Sequence, residues 1–230
     1  MMFTPDELSA IRLSLRVATW ATVASLPLGV LVALALARGR FAGKTLVDAL
    51  VHLPLVMPPV VTGYLLLLAF GRRGPVGAWL EDTLGIVFAF NWTGAALACA
   101  VMGFPLMVRA MRLSIEAVDV GLERAAATLG AGRLRVFFTI TLPLALPGVI
   151  AGAVLCFAKA LGEFGATITF VSNIPGLTQT LPSAIYSYTQ VPGGDGPALR
   201  LTAVSIAISL VALVLSEWLA QRVKARRVLT

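Results

Sequence analysis

Long apolar runs separated by short polar clusters make up most of the chain. A helix needs about 20 mostly apolar residues to cross the hydrocarbon core of a bilayer. Runs of this kind lie at about 11–37, 49–70, 86–108, 142–161 and 199–220. The pattern predicts an all-α membrane protein with five transmembrane helices in a single domain over 1–230, with no room for a separate soluble domain of ordinary size.

Two stretches depart from a simple row of straight spans. The second run contains Pro54, Pro58 and Pro59, which lack a backbone N–H and should kink or partly unwind the helix. Between the fourth and fifth runs, the apolar piece 166–171 is too short to cross a bilayer. We therefore expect 165–197 to be partly re-entrant or to lie on the surface, buried in protein where it meets the membrane.

A mixed polar segment at about 116–138 separates the third and fourth runs and is expected to leave the membrane. A short helix is predicted over 120–129. Asp119 is suited to cap its first turn, and Glu123 lies near the positive end of the helix. Gly130 suits the left-handed position that ends a helix.

One apolar stripe follows this short helix at helical spacing. It consists of Val118, Leu122, Ala125 and Leu129. Three consecutive alanines, 125–127, permit close approach of another backbone, so the helix is shaped to fit a cleft in a partner protein. The alternative is an ordinary amphipathic helix resting on the bilayer surface.

Composition supports a membrane location for the whole chain. Hydrophobic residues make up 58 % of the sequence and charged residues 13 %, against about a quarter charged in soluble domains. The net charge of +7 does not indicate nucleic-acid binding, because the basic residues form short clusters beside apolar runs. In that position they set membrane orientation.

The distribution of basic residues predicts the orientation. The larger set is expected in the cytoplasm: Arg38, Arg40, Lys44, Arg109, Arg112, Arg124, Arg133, Arg135, Arg222, Lys224, Arg226 and Arg227. The smaller set is expected outside: Arg12, Arg16, Arg72, Arg73 and Arg200. This distribution places the N-terminus outside, and the C-terminus and the 116–138 segment in the cytoplasm.

A few polar side chains near the end of the fourth span are candidates for a transport pathway. Lys159 and Glu163 are four residues apart and share a helix face. They either neutralise each other or place the Lys159 charge where it attracts a dianion. Neutral donors follow at Thr167, Thr169, Ser172 and Asn173. Hydroxyls in membrane helices often bond to their own backbone instead.

Signatures of enzymes and of metal proteins are missing from the sequence. His52 is the single histidine, so a metal site is not expected, and we expect no cofactor. The chain has no glycine-rich loop ending in Lys-Ser or Lys-Thr, the signature of a phosphate-binding loop. We therefore expect a non-catalytic subunit, with any ATP hydrolysis on a partner.

The 123–143 stretch resembles the coupling motif of ATP-binding-cassette (ABC) importer permeases. That motif is a glutamate, two alanines, a glycine after three residues and, after nine more, isoleucine-x-leucine-proline. The corresponding positions here are Glu123, Arg124, Ala125, Ala126, Gly130, Ile140, Leu142 and Pro143. Arg124 stands where the motif has its glutamate, with Glu123 one residue earlier. The resemblance implies that this helix sits in a groove of an ATPase subunit.

Three longer stretches resemble the molybdate permeases of that family. They are HLPLVMPPVVTGYLLL from His52, VMGFPLMVRAMRLSIEAVD from Val101 and ALGEFGATITFVSNIPG from Ala160. The GEFG element at 162–165 is also similar to sulfate permeases. The resemblance implies a type I ABC importer permease fold, which covers nearly the whole chain.

The resemblance also implies an assembly in the cytoplasmic membrane of a bacterium. It would contain two copies of this chain, an ABC ATPase dimer and an external molybdate-binding protein, and it would import molybdate by alternating access. Sulfate or tungstate import by the same family is an alternative. An ion-coupled secondary transporter with Glu163 as proton site is another, although no inverted repeat is evident. A non-transporting membrane scaffold is the third.

Overall fold

A computed structural model describes residues 3–228, and every regular element in that range is a helix. In chain order these are α1 Pro5–Arg38, α2 Lys44–Val56, α3 Pro59–Phe70, α4 Pro75–Leu84, α5 Trp92–Glu116, α6 Val120–Thr128, α7 Arg133–Val136, α8 Leu142–Leu161, α9 Gly165–Val171, α10 Leu181–Thr189 and α11 Asp195–Val228. A π-helical turn, Phe137–Thr141, joins α7 to α8. The prediction of an all-α protein is confirmed.

Within the described range, four helical stretches are long and apolar enough to cross a membrane. They are α1, α5, the continuous stretch Arg133–Leu161, and α11 over Asp195–Leu215. The pair α2 and α3, bent by 114°, makes a fifth if it is one span. The runs at 11–37, 86–108, 142–161 and 199–220 overlap the four long helical stretches, and the run at 49–70 overlaps the pair α2 and α3.

The bend between α2 and α3 follows from the prolines of the second run. Pro58 and Pro59 cannot donate backbone hydrogen bonds. Met57, which precedes them, has an extended backbone (φ −73°, ψ 145°), the conformation that a residue before proline prefers. Pro54, by contrast, lies inside α2 without ending it. The kink predicted from the sequence is present, and it is sharp.

The third apolar run and its helix differ in their bounds. The run at 86–108 predicts a helix from its first residue, whereas α5 begins at Trp92 and continues to Glu116. The chain turns sharply at Phe90, whose φ is +57°. Asn91 then caps the helix, because its side-chain oxygen accepts a hydrogen bond of 2.7 Å from the Trp92 N–H.

Other helices extend beyond the apolar runs. Thr4 and Glu7 form a capping box that starts α1 at Pro5, ahead of the run at 11–37. Residues 75–84, which follow the second apolar run, form α4. The side chains of four basic residues used in the orientation prediction lie outside the part described: Arg222, Lys224, Arg226 and Arg227.

The core is a bundle in which α5 packs between α1 and α8. Its buried contacts are made largely by small side chains, such as Ala18 in α1 and Ala98 in α5. A Cβ atom placed on Gly103 would lie 2.6 Å from the Cys156 sulfur of α8. Small residues let membrane helices pack closely. This bundle is the frame to which α6 is attached at one end and α9 at the other.

Candidate functional site

The first candidate site is α6 with its flanking turns, between α5 and α8. Asp119 caps the helix as predicted, since its Oδ1 accepts a hydrogen bond of 2.7 Å from the Gly121 N–H. The observed bounds, Val120–Thr128, differ by one residue from the predicted 120–129. Local sequence therefore accounts for this helix almost completely.

The end of α6 follows from one glycine. Gly130 has φ +86°, a left-handed conformation that costs other residues energy. Its N–H donates to the Ala127 carbonyl at 3.0 Å, and the Ala131 N–H donates to the Ala126 carbonyl at 3.1 Å. These two bonds are those of a Schellman motif. The chain leaves the helix here, and α7 begins at Arg133.

The apolar stripe of α6 mostly faces away from the protein. Val118, just before the helix, is buried in the core. Leu122 is exposed, Leu129 is 88 % exposed, and Leu134 of α7 is 76 % exposed. Leu122 and Leu129 lie outside the helices that can span a membrane, and Leu134 lies in the first turn of the Arg133–Leu161 stretch. Exposed apolar side chains that lie outside such helices are typical of a protein interaction site.

The polar face of α6 points toward the bundle, and Glu123 is its centre. The Arg38 Nη2 atom, at the end of α1, lies 3.2 Å from Glu123 Oε1. The Thr141 hydroxyl donates to the same oxygen at 2.8 Å. Arg38 Nη2 also donates to the Val118 carbonyl at 2.8 Å. Arg124, which occupies the motif position of glutamate, is exposed.

The isoleucine-x-leucine-proline part of the motif coincides with the π-helical turn. The Leu142 N–H donates to the Phe137 carbonyl, five residues earlier. Pro143 has no N–H to donate to the carbonyl four residues before it, which favours a local irregularity of this type. Ile140 and Leu142 are half-buried and Pro143 is exposed.

A second group of candidate residues lies at the opposite end of α8. The Lys159 ammonium is 2.8 Å from Glu163 Oε2, and Glu163 Oε1 accepts a hydrogen bond of 2.9 Å from the Ala166 N–H at the start of α9. The Glu163 side chain is 1 % exposed, against 29 % for Lys159. The structure therefore contains the mutual ion pair that the spacing allows.

The uncharged candidate residues differ in the hydrogen bonds that their side chains make. Thr167 donates to the Phe164 carbonyl at 2.9 Å and Thr169 to the Gly165 carbonyl at 2.8 Å, so both hydroxyls bond to their own backbone. Asn173 Nδ2 donates to the Ser187 hydroxyl at 2.7 Å. Its Oδ1 is buried and finds no hydrogen-bond partner within residues 3–228.

Ser172, at the end of α9, has φ +66° and ψ −161°. This region is nearly restricted to glycine and costs a serine about 1–3 kcal/mol. The candidate pathway residues thus form one continuous stretch from the end of α8 through α9, with a strained residue at its far end.

Arg38 was not predicted as a site residue. In the sequence it is one of several arginines after an apolar run, where orientation alone explains a basic residue. Its contact with Glu123 joins residues 85 positions apart. Only its place in the last turn of a long helix hints at a specific role, since a cation is favourable there.

Residues 25–225 match the family model described as "Binding-protein-dependent transport system inner membrane component". The chain belongs to this family. It is 61 % identical over 221 residues to the molybdenum transport system permease protein ModB of Escherichia coli K12, and 58 % identical over 220 residues to ModB of Haemophilus influenzae. Each match covers 96 % of both proteins.

A more distant relative is named a sulfate permease. Sulfate permease 2, chloroplastic, of Chlamydomonas reinhardtii is 41 % identical over 178 residues, covering 77 % of this chain and 48 % of that protein. The similarity to sulfate permeases inferred from the sequence is therefore present, at lower identity and coverage.

Solved structures show the fold. A bacterial alginate ABC transporter, solved with its alginate-bound periplasmic protein, matches with a TM-score of 0.75 at 17 % identity, covering 96 % of this chain and 80 % of that one. The MetNI methionine ABC transporter matches with a TM-score of 0.69 at 15 % identity, covering 94 % of both chains. The type I importer permease fold implied by the sequence is confirmed.

Proposed function

We propose that this chain is the transmembrane subunit of an ATP-driven importer that carries molybdate across a bacterial cytoplasmic membrane. The observation that carries this proposal is 61 % identity to a molybdenum permease over 96 % of both chains. The sulfate permease relative matches at 41 % over a smaller part of the chain. Molybdate is therefore favoured over sulfate, and tungstate shares its size and charge.

The exposed surface of α6 and α7 supports docking to an ATPase subunit. We define the docking surface as Leu122, Arg124, Ala125, Leu129 and Leu134, all of them exposed. The sequence contains no phosphate-binding loop, so we assign ATP hydrolysis to the partner. Two copies of this chain would dock two ATPase subunits, and an external binding protein would deliver the anion.

Alternating access follows from this assembly. ATP binding would close the ATPase dimer, draw the two α6 helices together and tilt the bundle so that the path opens outward. Hydrolysis would reverse the movement and open the path inward. In the proposed orientation the N-terminus is outside and the C-terminus is in the cytoplasm, which places α6 on the side of the ATPase.

The proposed pathway includes Lys159, Glu163, Thr167, Thr169, Ser172 and Asn173. Lys159 is the only cation among them. Its ammonium pairs with the buried Glu163 but is partly exposed, and with three N–H donors it is suited to bind a dianion as well. The hydroxyls of Thr167 and Thr169 already donate to the backbone. Direct contacts with the anion are therefore assigned to Lys159, to Ser172 and to the second N–H of Asn173, whose other N–H donates to Ser187.

The ion-coupled alternative has weaker support. A proton site on Glu163 requires a carboxylate that gains and loses a proton during transport. Both oxygens of Glu163 are already engaged, one by Lys159 and one by the Ala166 N–H. The contacts of Glu163 are therefore those of an ion pair and of a bond to the start of α9, which agree with a structural role at this position.

Reconstitution in liposomes tests the proposed function. The permease would be combined with its ATPase and binding protein, and uptake of molybdate, tungstate and sulfate would be measured with ATP and with a non-hydrolysable analogue. We expect uptake of molybdate and tungstate that requires hydrolysis, and little uptake of sulfate. Equal uptake driven by an ion gradient without ATP would contradict the proposal.

Docking has its own test. Leu129→Asp and Leu134→Asp each place a charge in the docking surface and should reduce co-purification of the ATPase subunit. The matched control is Leu84→Asp, which changes a leucine that is 60 % exposed at the end of α4. Similar loss of the ATPase in all three variants would count against the assigned surface.

A further inference from the structure

We propose that Arg38 and Thr141 are positioning residues that hold α6 on the bundle through Glu123. We call this group, Arg38, Glu123 and Thr141, the carboxylate latch. Through the latch, a displacement of α6 by a partner reaches α1 and α8 directly, as well as through the short turns that flank α6. The consequence for transport rests on the proposed function, whereas the latch itself does not.

The first argument is convergence on one atom. Arg38 is the last residue of α1, and Thr141 is the last residue of the π-helical turn before α8. Both donate to Glu123 Oε1, at 3.2 and 2.8 Å. Hydrogen bonds to a charged acceptor are stronger than those between neutral groups. A single carboxylate oxygen therefore joins three helical elements.

Packing supplies the second argument. Among the residues described, none in α6 is buried. The buried residues nearest to it along the chain are Val118 before the helix and Val136 after it. Isolated helices shorter than about 12–15 residues are marginal in water, and α6 has nine. Apolar packing does not hold this helix in place, so the polar contacts of Glu123 matter for its position.

The third argument concerns the connection to the preceding turn. Arg38 Nη2 donates to the Val118 carbonyl at 2.8 Å as well as to Glu123. One guanidinium group thus contacts both the turn before α6 and the first turn of α6. A rotation of α6 about that turn changes the Arg38–Glu123 distance, so α1 responds to it.

The latch also has an unused donor. Arg38 Nε is buried and, within residues 3–228, has no hydrogen-bond partner. Arginine and carboxylate groups frequently form two parallel bonds, whereas Arg38 and Glu123 share one close contact. A small movement of α6 toward α1 would let Nε reach the free Glu123 oxygen. The latch therefore has a looser and a tighter arrangement that a partner can select.

Thr141 links α6 to α8, the helix that leads to the proposed pathway residues. It is buried in the π-helical turn that leads into α8. The same helix ends at Leu161, next to Glu163 and α9. Displacement of α6 is thus transmitted along α8 to the proposed pathway residues.

The latch is tested first in the permease alone, in lipid nanodiscs, by hydrogen–deuterium exchange. Glu123→Gln, Arg38→Gln and Thr141→Val should each raise amide exchange over 120–130 about fivefold, as expected for loss of one partly exposed hydrogen bond of ordinary strength. The matched control is Glu116→Gln, because Glu116 also pairs with an arginine, Arg112, without contacting α6. Exchange in the three variants equal to wild type would overturn the proposal.

A charge reversal separates the latch from a simple loss of fold. The double variant Arg38→Glu with Glu123→Arg restores opposite charges, so its exchange over 120–130 should return toward the wild-type value. Exchange no lower than in the two single variants would overturn the direct pairing. This measurement does not depend on whether the chain transports molybdate.

The consequence for coupling is measured in the full complex. Glu123→Gln and Thr141→Val should still co-purify with the ATPase but import several-fold less molybdate per ATP hydrolysed. An unchanged ratio in both would overturn the latch, as would loss of the ATPase without faster exchange in α6, because Glu123 would then be a partner contact. If the wild-type complex fails to import molybdate, the proposed function fails, and exchange alone decides the latch.

Discussion

The two ends of α1 each pair an arginine with a glutamate. At the N-terminal end, Glu7 accepts hydrogen bonds from Arg200 of α11 at 3.1 and 2.7 Å, and its other oxygen accepts one from the Thr4 N–H at 2.6 Å. At the C-terminal end, Arg38 makes one contact of 3.2 Å with Glu123 of α6. The chemistry is the same, but the surroundings differ.

Burial and the anchoring of the partner explain the difference. The Glu7 side chain is fully buried, and its partner lies on a long helix of the bundle. The Glu123 side chain is 18 % exposed, and its partner helix has no buried residue among those described. A pair between two anchored helices fixes them, whereas a pair to a weakly packed helix transmits its movement. We infer that the contact with α11 fixes the N-terminal end of α1, which we call the fixed end. Movement of α6 displaces the C-terminal end of α1, which we call the driven end.

The largest effect is expected at the fixed end. Glu7→Gln removes the buried carboxylate that pairs with Arg200, whose side chain is 28 % exposed, and should lower the free energy of unfolding by about 1.5–3 kcal/mol. Denaturant titration in detergent, followed by helical circular dichroism, measures the change. Asp6→Asn, at the exposed neighbour, is the control and should have almost no effect. Equal changes in the free energy of unfolding of the two variants would contradict the inference that the Glu7–Arg200 pair fixes this end of α1.

The second effect concerns the end of α6 at the driven end. Gly130→Val forces a β-branched residue into a left-handed conformation, at a cost of about 1–2 kcal/mol. A loss of 1.4 kcal/mol is about tenfold in an equilibrium, and molybdate imported per ATP should fall accordingly. The control is Gly132→Val, because Gly132 has an extended backbone (φ −66°, ψ 160°).

Steric crowding of the new side chain does not account for the effect expected of Gly130→Val. Apart from the adjacent residues, no atom of the described chain lies within 4 Å of a Cβ placed on Gly130 or on Gly132. The two variants therefore differ in backbone conformation alone. Normal coupling in Gly130→Val would show that the Schellman turn is not needed for transmission.

A smaller effect at the fixed end tests the cap. Thr4→Ala removes the hydroxyl that accepts a hydrogen bond from the Glu7 N–H at 3.2 Å, and should cost about 1 kcal/mol of unfolding free energy. Thr202→Ala is the control, since the Thr202 hydroxyl donates to the Ala198 carbonyl of its own helix. A larger loss in the control would indicate that the cap does not contribute to the fixed end.

The smallest stability effect is expected from Arg38→Gln. The Arg38–Glu123 pair is partly exposed, so its loss should change the global free energy of unfolding by less than about 1 kcal/mol. Raising the salt concentration should shrink this difference, while that of Glu7→Gln persists, because buried charges are screened less. A destabilisation as large as that of Glu7→Gln would mean that both ends are fixed.

Local chemistry predicted much of the fold and part of the site. Apolar runs predicted the long helices, and the prolines at Pro58 and Pro59 predicted the bend between α2 and α3. Asp119 and Gly130 predicted both ends of α6, because a cap and a left-handed turn depend on neighbours a few residues away. The 114° angle of the bend was beyond prediction, since it depends on packing against other helices.

The sequence by itself determined that this chain is a set of membrane helices with one short, capped helix between the third and fourth apolar runs, because hydropathy, prolines and caps act locally. The tertiary structure alone decided that Glu123 faces Arg38 and Thr141 rather than solvent, and that Glu7 meets Arg200. These partners lie 85, 18 and 193 residues apart. Only helix packing sets which side chains meet at such separations.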